Sequence, residues 1–273
     1  MSLIDRIKYE QRTLLSFCHG LGDTILFLPI YHEIQKQTNK RIELGVHSKR
    51  QFHLIYPDVV LVDKIGSDIK SKYSFFYSVR YGEPNGILSK PYLCAKNEFG
   101  LDDFIWEPYR FKNDYDNSNS KRIGVCFFGI TGSNKESKFC PTKTAERIWG
   151  EIQSAGYEPF ELYQGVNFIK DYYIDGKVPD AFNLTNESNS LRFQEPNLLL
   201  LFNEIKKCKK VICVDNGVLY LSLSLLGERG IIGLENQKQI QNYLPRSINI
   251  VNVKNYREGS IYNLLTTNQR RLN

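Results

Sequence analysis

The 273 residues are 41% hydrophobic and 24% charged, with a formal net charge of +6. That balance argues against extensive disorder, and the longest apolar runs, NLLLLF and LYLSLSLLG, fall far short of the ~20 residues of a membrane span. The positive charge points to anionic partners without choosing among phosphorylated substrates, acidic membrane surfaces and nucleic acid.

The opening residues, MSLIDRIKYEQR, carry acids and no apolar core, so no secretory signal is read there and a cytoplasmic location is expected. The six cysteines, Cys18, Cys94, Cys126, Cys140, Cys208 and Cys213, form no CxxC pair. Reduced, buried thiols are expected rather than a disulfide framework. His19, His32, His47 and His53 are the only histidines. Their spacing matches no standard zinc motif, and no metal site is expected.

In chain order, TLLSFC (13–18) reads as a strand and 23–37 as an amphipathic helix. RIELGV (41–46) is a strand, followed by a short helix around 48–56 that ends before Pro57. VVLVD (59–63) and YSFFYSV (73–79) are further strands. Residues 112–120, KNDYDNSNS, are polar and aperiodic, which marks a linker. A second series then begins. RIGVCFFG (122–129) is a strand, and the loop ITGSNKESKFC leads to Pro141 and a helix through Ile152. YEPFELY (157–163) is a strand, 195–207 a helix and KVICVD (210–215) a strand. NGVLYLSLSLLG is a helix closed by Gly227. RGIIGL and SINIVNV are late strands, and 259–271 a final helix. Strands alternating with helices predict an α/β protein with parallel sheets. Two successive series predict two doubly wound domains facing across a cleft, 1–115 and 116–273. The last helix is a candidate to pack back on the first domain. In such sheets ligands bind at the carboxyl ends of the strands.

Three strand-to-helix loops hold the candidate chemistry. In CHGLGD, Gly20 and Gly22 allow a tight turn and close ligand approach, and Asp23 stands at the first helical turn. As a plain structural element Asp23 would be the N-cap. GLGDTI is not a dinucleotide fingerprint, because Ile25 stands where the third glycine belongs. In GITGSNKESKFCP, Thr131, Ser133, Lys135 and Lys138 add hydroxyls and positive charge to backbone N–H groups ahead of a helix, a ready anion site. The alternative is a solvated loop. In VDNGVLYLSLSLLG, Asp215 ends a strand and Gly217 opens a helix, with Asp215 or Asn216 as the plain cap.

The order of GxGD before a helix, K-x-x-P after a hydroxyl-rich loop, and D-x-G-x-x-(H)-L before a small-residue helix resembles the heptosyltransferase family of glycosyltransferases. The likeness is dense at 14–37, 122–156 and 210–234. It implies two Rossmann-like domains (the GT-B type), an N-terminal one for the acceptor and a C-terminal one for the nucleotide sugar. It implies Asp23 as the base on the acceptor hydroxyl and Lys138 as the contact to the donor diphosphate. Gly20, Gly22, Thr131, Ser133, Lys135, Asp215, Asn216, Gly217 and Tyr220 are the implied donor-binding positions. Two positions depart from the pattern: Tyr220 stands where the family has His, and Cys140 where K-x-W-P has Trp.

The expectation is therefore an inverting, metal-independent transferase that moves a sugar from a nucleoside diphosphate to a hydroxyl of an anionic acceptor. The nucleotide sugar is a co-substrate, and no cofactor is expected. A cell-surface glycan is the first acceptor class. A hydroxymethylated DNA base is the second, with KKCKK (206–210) as a phosphate contact. Peripheral membrane contact is compatible with both. A DxD metal motif, DYD at 114–116, falls in the polar linker rather than at a strand end. The two departures also leave open a non-catalytic protein that binds a nucleotide sugar or serves as a scaffold.

Overall fold

A computed structural model describes residues 2–17, 19–46, 52–56, 59–62, 70–79, 91–111, 117–129, 140–163, 188–191, 194, 197–236, 244–245 and 247–267. The chain divides into two compact units, Met1–Tyr109 and Arg110–Asn273.

The first unit contains α1 (Leu3–Tyr9), β1 (Thr13–Phe17), α2 (Leu21–Thr38), β2 (Glu43–Val46), α3 (Phe52–Ile55), β3 (Val60–Val62), β4 (Phe75–Ser78) and α4 (Pro91–Phe99). Its four strands are all parallel, in the order β3-β2-β1-β4. The chain moves outward from β1 to β3 and then returns to place β4 on the other side of β1. That reversal makes the β1/β4 edge a topological switch point. β1 is buried at every position, as a strand covered on both faces must be.

Helix α1 starts at a capping box in which Ser2 and Asp5 satisfy each other's end of the turn. Helix α2 runs through Pro29. A proline donates no N–H and crowds the preceding turn. Close to it, the Trp106 indole Nε1 donates to the carbonyl of Leu26 at 3.0 Å. Tyr31 fastens the same helix to the sheet by donating its buried hydroxyl to the carbonyl of Ile42 at 2.6 Å. The ring of Phe27 stacks on Phe17 of β1 at 4.4 Å.

The second unit contains β5 (Arg122–Cys126), α5 (Thr142–Ser154), β6 (Glu158–Glu161), α6 (Leu198–Lys206), β7 (Lys210–Val214), α7 (Gly217–Leu226), β8 (Ile231–Glu235), β9 (Asn249–Asn252) and α8 (Ser260–Thr266). Its sheet is also parallel throughout, in the order β6-β5-β7-β8-β9. The switch point here lies between β5 and β7. Gly124, in mid-β5, is required by packing: a Cβ there would meet Leu162 Cδ1 at 2.6 Å.

Helix α5 buries Ala145, Ile148, Trp149 and Ile152, the i, i+3, i+4, i+7 stripe of an amphipathic helix. Helix α8 lies against α5 of the same unit. The Glu151 carboxylate caps its start, accepting from the N–H groups of Gly259 (2.8 Å), Ile261 (2.9 Å) and Tyr262 (3.0 Å). The other end of α7 is closed from the unit's first residues. Arg110 donates to the carbonyl of Leu223 and pairs with Glu228 at 3.1 Å, and the Phe111 N–H donates to Ser224. A cation at a helix C-terminus complements its dipole. Gly227 ends α7 at φ 72, ψ −179, a backbone state left to glycine.

Cys94, Cys126, Cys140, Cys208 and Cys213 are all buried free thiols, as expected; Cys18 lies outside the described residues. The DYD segment also lies outside them. Among the described residues, no helix is long and apolar enough to cross a membrane.

Candidate functional site

Each switch point is lined by the loop that the sequence singled out. In the first unit, β1 hands over to α2 through His19 and Gly20. The N-cap is Gly20, not Asp23, and glycine offers no side chain to cap the first-turn N–H groups. Its carbonyl accepts from both the N–H (3.0 Å) and the hydroxyl (2.9 Å) of Thr24. Asp23 is thus the third helical residue, half-buried in the first turn, while Gly22 is buried. The plain reading of Asp23 as the cap is therefore set aside: the helix begins two residues earlier than the apolar periodicity suggests. A carboxylate in the first turn is favoured by the helix dipole. The His19 ring packs on Phe17 at 4.6 Å, beside the same turn.

In the second unit, Asp215 and Asn216 follow β7 directly, and Gly217 opens α7. Asn216 is the N-cap. Its Oδ1 accepts from the N–H groups of Val218 (2.9 Å) and Leu219 (3.2 Å). The same side chain reaches across the switch point to β5. Its Nδ2 donates to the Phe128 carbonyl and lies 3.1 Å from Cys126 Sγ, and Oδ1 also accepts from the Cys213 thiol at 3.2 Å. Cys126 and Cys213 face each other in register on β5 and β7. Burial pushes the Cys213 thiol well above its usual range, and the neighbouring Cys126 adds to that. The Cys213 thiol therefore acts as a neutral packing and weak hydrogen-bonding group, not as a nucleophile.

Asp215 is buried, 7% exposed, and accepts a hydrogen bond from the Tyr220 hydroxyl at 2.7 Å. Tyr220 is itself buried, the fourth residue of α7 and about one turn in. A buried carboxylate needs such a donor. Tyrosine supplies it from the position where the resembled family has histidine.

The hydroxyl- and lysine-bearing loop follows Gly129, just past the end of β5, and the described chain resumes at Cys140. The Cys140 N–H donates to the Phe127 carbonyl at 3.0 Å, and Pro141 caps α5. The two ends of that loop are thus joined at the carboxyl end of β5, beside the Phe128 carbonyl that Asn216 holds. Thr131, Ser133, Lys135 and Lys138 lie outside the described residues. Cys140 is buried and unionised, its thiol raised by burial.

Two further carboxylates escaped the sequence reading. Glu161 ends β6, is 1% exposed and accepts from the Ser190 hydroxyl at 2.6 Å. Glu235 ends β8 and is 2% exposed. The signal was present as an acid closing each apolar strand, but a strand-end acid reads equally as a loop residue. Together with Asp215 they put carboxylates at the ends of β6, β7 and β8. Among the described residues, no three His, Cys, Asp or Glu side chains gather to hold a metal ion.

No protein-family model matches the sequence, and comparison with curated proteins found no match. Solved structures are similar. The iron-containing dodecameric glycosyltransferase TibC from enterotoxigenic E. coli H10407 is 14% identical, with TM-score 0.63 over 88% of this chain. The chain spans 62% of TibC. The glycosyl transferase family 9 protein of Veillonella parvula DSM 2008 is 12% identical, with TM-score 0.58, covering 96% of each chain. The E. coli heptosyltransferase WaaC, solved with ADP, is 10% identical, with TM-score 0.55, covering 96% of this chain and 99% of that one. Two parallel sheets, each with its strand order reversing at the loops described, and this likeness give the chain the heptosyltransferase-like, two-Rossmann GT-B fold.

Proposed function

We propose that the protein is a glycosyltransferase that takes a sugar from a nucleoside diphosphate and transfers it, with inversion, to a hydroxyl of an anionic acceptor. The observation that carries this is that each unit has its own switch point with chemistry-bearing residues. One presents a carboxylate, Asp23, in the first turn of α2. The other presents the Asp215–Asn216–Gly217 turn at the start of α7, beside the take-off of the lysine-bearing loop. TibC in complex with ADP-D-β-D-heptose and WaaC with ADP, both of this fold, favour a nucleotide-sugar donor.

Asp23 takes the proton of the attacking hydroxyl. The oxygen bonds the anomeric carbon as the bond to the diphosphate breaks, so one displacement inverts that centre. Negative charge on the leaving diphosphate is met by Lys138, with Lys135 and the hydroxyls of Thr131 and Ser133, and by the N-terminal ends of α5 and α7. Those groups supply the positive charge that a divalent cation would otherwise provide, and a bound metal or cofactor is not part of this reading. Gly20 and Gly22 keep the base-bearing turn free of bulk. Asp215, oriented by Tyr220, accepts from donor hydroxyls.

The first test is a thermal-shift panel of ADP, UDP, GDP, CDP, dTDP and CMP. At about 100 times its Kd a ligand adds ~2.7 kcal/mol of stability. A shift with one nucleoside diphosphate names the donor class and opens an acceptor screen, in which glycans and hydroxymethylated DNA are separated by the steep salt dependence of DNA binding. No shift with any of them refutes the donor site. A shift with no turnover in any acceptor screen, unchanged by Asp23→Ala, establishes the non-catalytic binding protein instead.

A further inference from the structure

The amino end of the second sheet's strands, opposite the Asp215–Asn216 turn, carries most of the chain's excess charge. Three separate segments meet there. The 117–122 turn enters β5, the end of α6 runs into β7 through residues 206–210, and the 3-10 turn Glu228–Gly230 enters β8. They bring together Lys121, Arg122, Lys206, Lys207, Lys209, Lys210 and Arg229. Two carboxylates, Glu158 and Glu204, lie among these seven cations in the described residues. Glu228, next to Arg229, is already paired with Arg110.

This cluster is built rather than incidental. Ser120 Oγ donates to the Lys207 carbonyl at 2.6 Å, Asn117 Nδ2 to the Cys208 carbonyl at 3.0 Å, and the Lys209 N–H to the Arg122 carbonyl at 2.8 Å. Two ammonium groups are directed at backbone carbonyls: Lys209 at Ser118 (3.1 Å) and Lys210 at Arg229. Carbonyls fix these side chains in place without cancelling their charge. Glu204 serves Arg122 at 2.6 Å and Lys207 at 2.5 Å, so it is shared between two cations. Burial, with Lys209 beside it, holds the Lys210 ammonium below its usual range, as expected where cations crowd one another.

We propose that this end of the sheet is a docking surface for an anionic lipid leaflet. Five of its seven cations are lysines, which act as point charges rather than bidentate readers. The guanidinium of Arg122 is taken up by Glu204 and the face of Phe160, 4.3 Å away. The nearby aromatic rings, Tyr157 and Phe160, are each 8% exposed and offer no platform on which a nucleic-acid base could stack. What is left is sequence-blind recognition of phosphate charge, which a lipid headgroup surface satisfies and clusters of four to eight basic residues typically serve. The patch also lies across the sheet from the donor turn, so a docked unit keeps that turn open to water, from which a nucleotide sugar arrives.

The test is co-sedimentation of the full chain with phosphatidylcholine vesicles, with and without about 30% phosphatidylglycerol. Binding is expected only with the anionic lipid and is lost near ~0.5 M salt. The triple variant K206Q/K209Q/R229Q is expected to bind roughly 100-fold more weakly, at about fivefold per basic residue. Its unfolding midpoint should match the parent's, which shows that the loss is not misfolding. Equal binding to both vesicle types, or a triple variant that binds like the parent, overturns the proposal. So does a duplex DNA that displaces the protein from vesicles at lower phosphate concentration, because the surface then belongs to nucleic acid. The nucleoside diphosphate panel, run on parent and variant, reads the donor site separately and stands or falls by itself.

Discussion

Replacing Asn216 with alanine removes a side chain that does two jobs, and the structure lets each be weighed. As the N-cap of α7 it accepts from Val218 and Leu219. Losing such a cap costs about 1 kcal/mol. As the tie across the β5/β7 switch point it donates to the Phe128 carbonyl. Leaving a partly buried acceptor without its donor costs about 1 kcal/mol more. Asn216→Ala is therefore expected to lose about 2 kcal/mol. Asn216→Ser keeps a hydroxyl able to cap but too short to reach Phe128, so it should lose about half of that. For a unit of this size each kcal/mol moves Tm by roughly 2–4 °C. Urea unfolding of the parent and both variants, followed by far-UV circular dichroism, measures the two differences. An alanine variant within ~0.5 kcal/mol of the parent would refute the assignment. A serine variant as damaged as alanine would show that the cap contributes nothing and the tie carries the whole effect.

The remaining expectations are narrower. Asp23→Asn should lower the turnover of a competent donor and acceptor pair by about 10²- to 10⁴-fold while leaving the donor Kd unchanged; equal turnover in a steady-state assay would remove Asp23 as the base. Tyr220→Phe deletes the donor to buried Asp215 and is expected to cost about 1.5–3 kcal/mol of stability, with Tyr220→His recovering part of it, as read by denaturant titration. Gly227→Ala forces a Cβ into a positive-φ turn, 3.1 Å from Arg110 Nη1, and should cost about 1–3 kcal/mol; an unchanged Tm would contradict that. Burial pushes the thiols of Cys94 and Cys208 up to about 12, so their stabilising effect is complete below the ordinary thiol range and is lost as pH rises from about 9 toward 12. A Cys94→Ala/Cys208→Ala variant should therefore show a shallower loss of stability across that alkaline window than the parent.

How much of this was legible in one sequence differs between fold and site, for a physical reason. Parallel strands covered on both faces are written as short apolar runs, so RIGVC, KVICV and IIGLE announce themselves whatever surrounds them. Helix α5 is equally plain, because its stripe repeats with the helical period. Helix α1 is too short for its periodicity to stand out, although its capping box, Ser2 to Asp5, is spelled out in the sequence. Helix α2 begins two residues before the start its periodicity suggests, because Gly20 and Gly22 look like loop. At the first positions of a helix a glycine sacrifices little, since the N–H groups there have no intrahelical partner to lose. The site divides along the same line. The Asp215–Asn216–Gly217 turn is local, and its turn chemistry is visible. The bond from Asn216 to Phe128 joins residues 88 apart, and the one from Arg110 to Leu223 joins residues 113 apart. No periodicity or spacing within a single chain encodes such a pairing. Yet the loop ends are joined into one site by such a bond: Asn216 fixes the start of the loop carrying Lys138 relative to α7, while the Cys140 N–H fixes its end at Phe127. Residue types at strand ends therefore nominate the chemistry, and side chains that cross the switch point decide whether those residues meet. That is why Asn216, more than any titratable group, is the position at which the proposed donor site can be taken apart without removing a reacting atom.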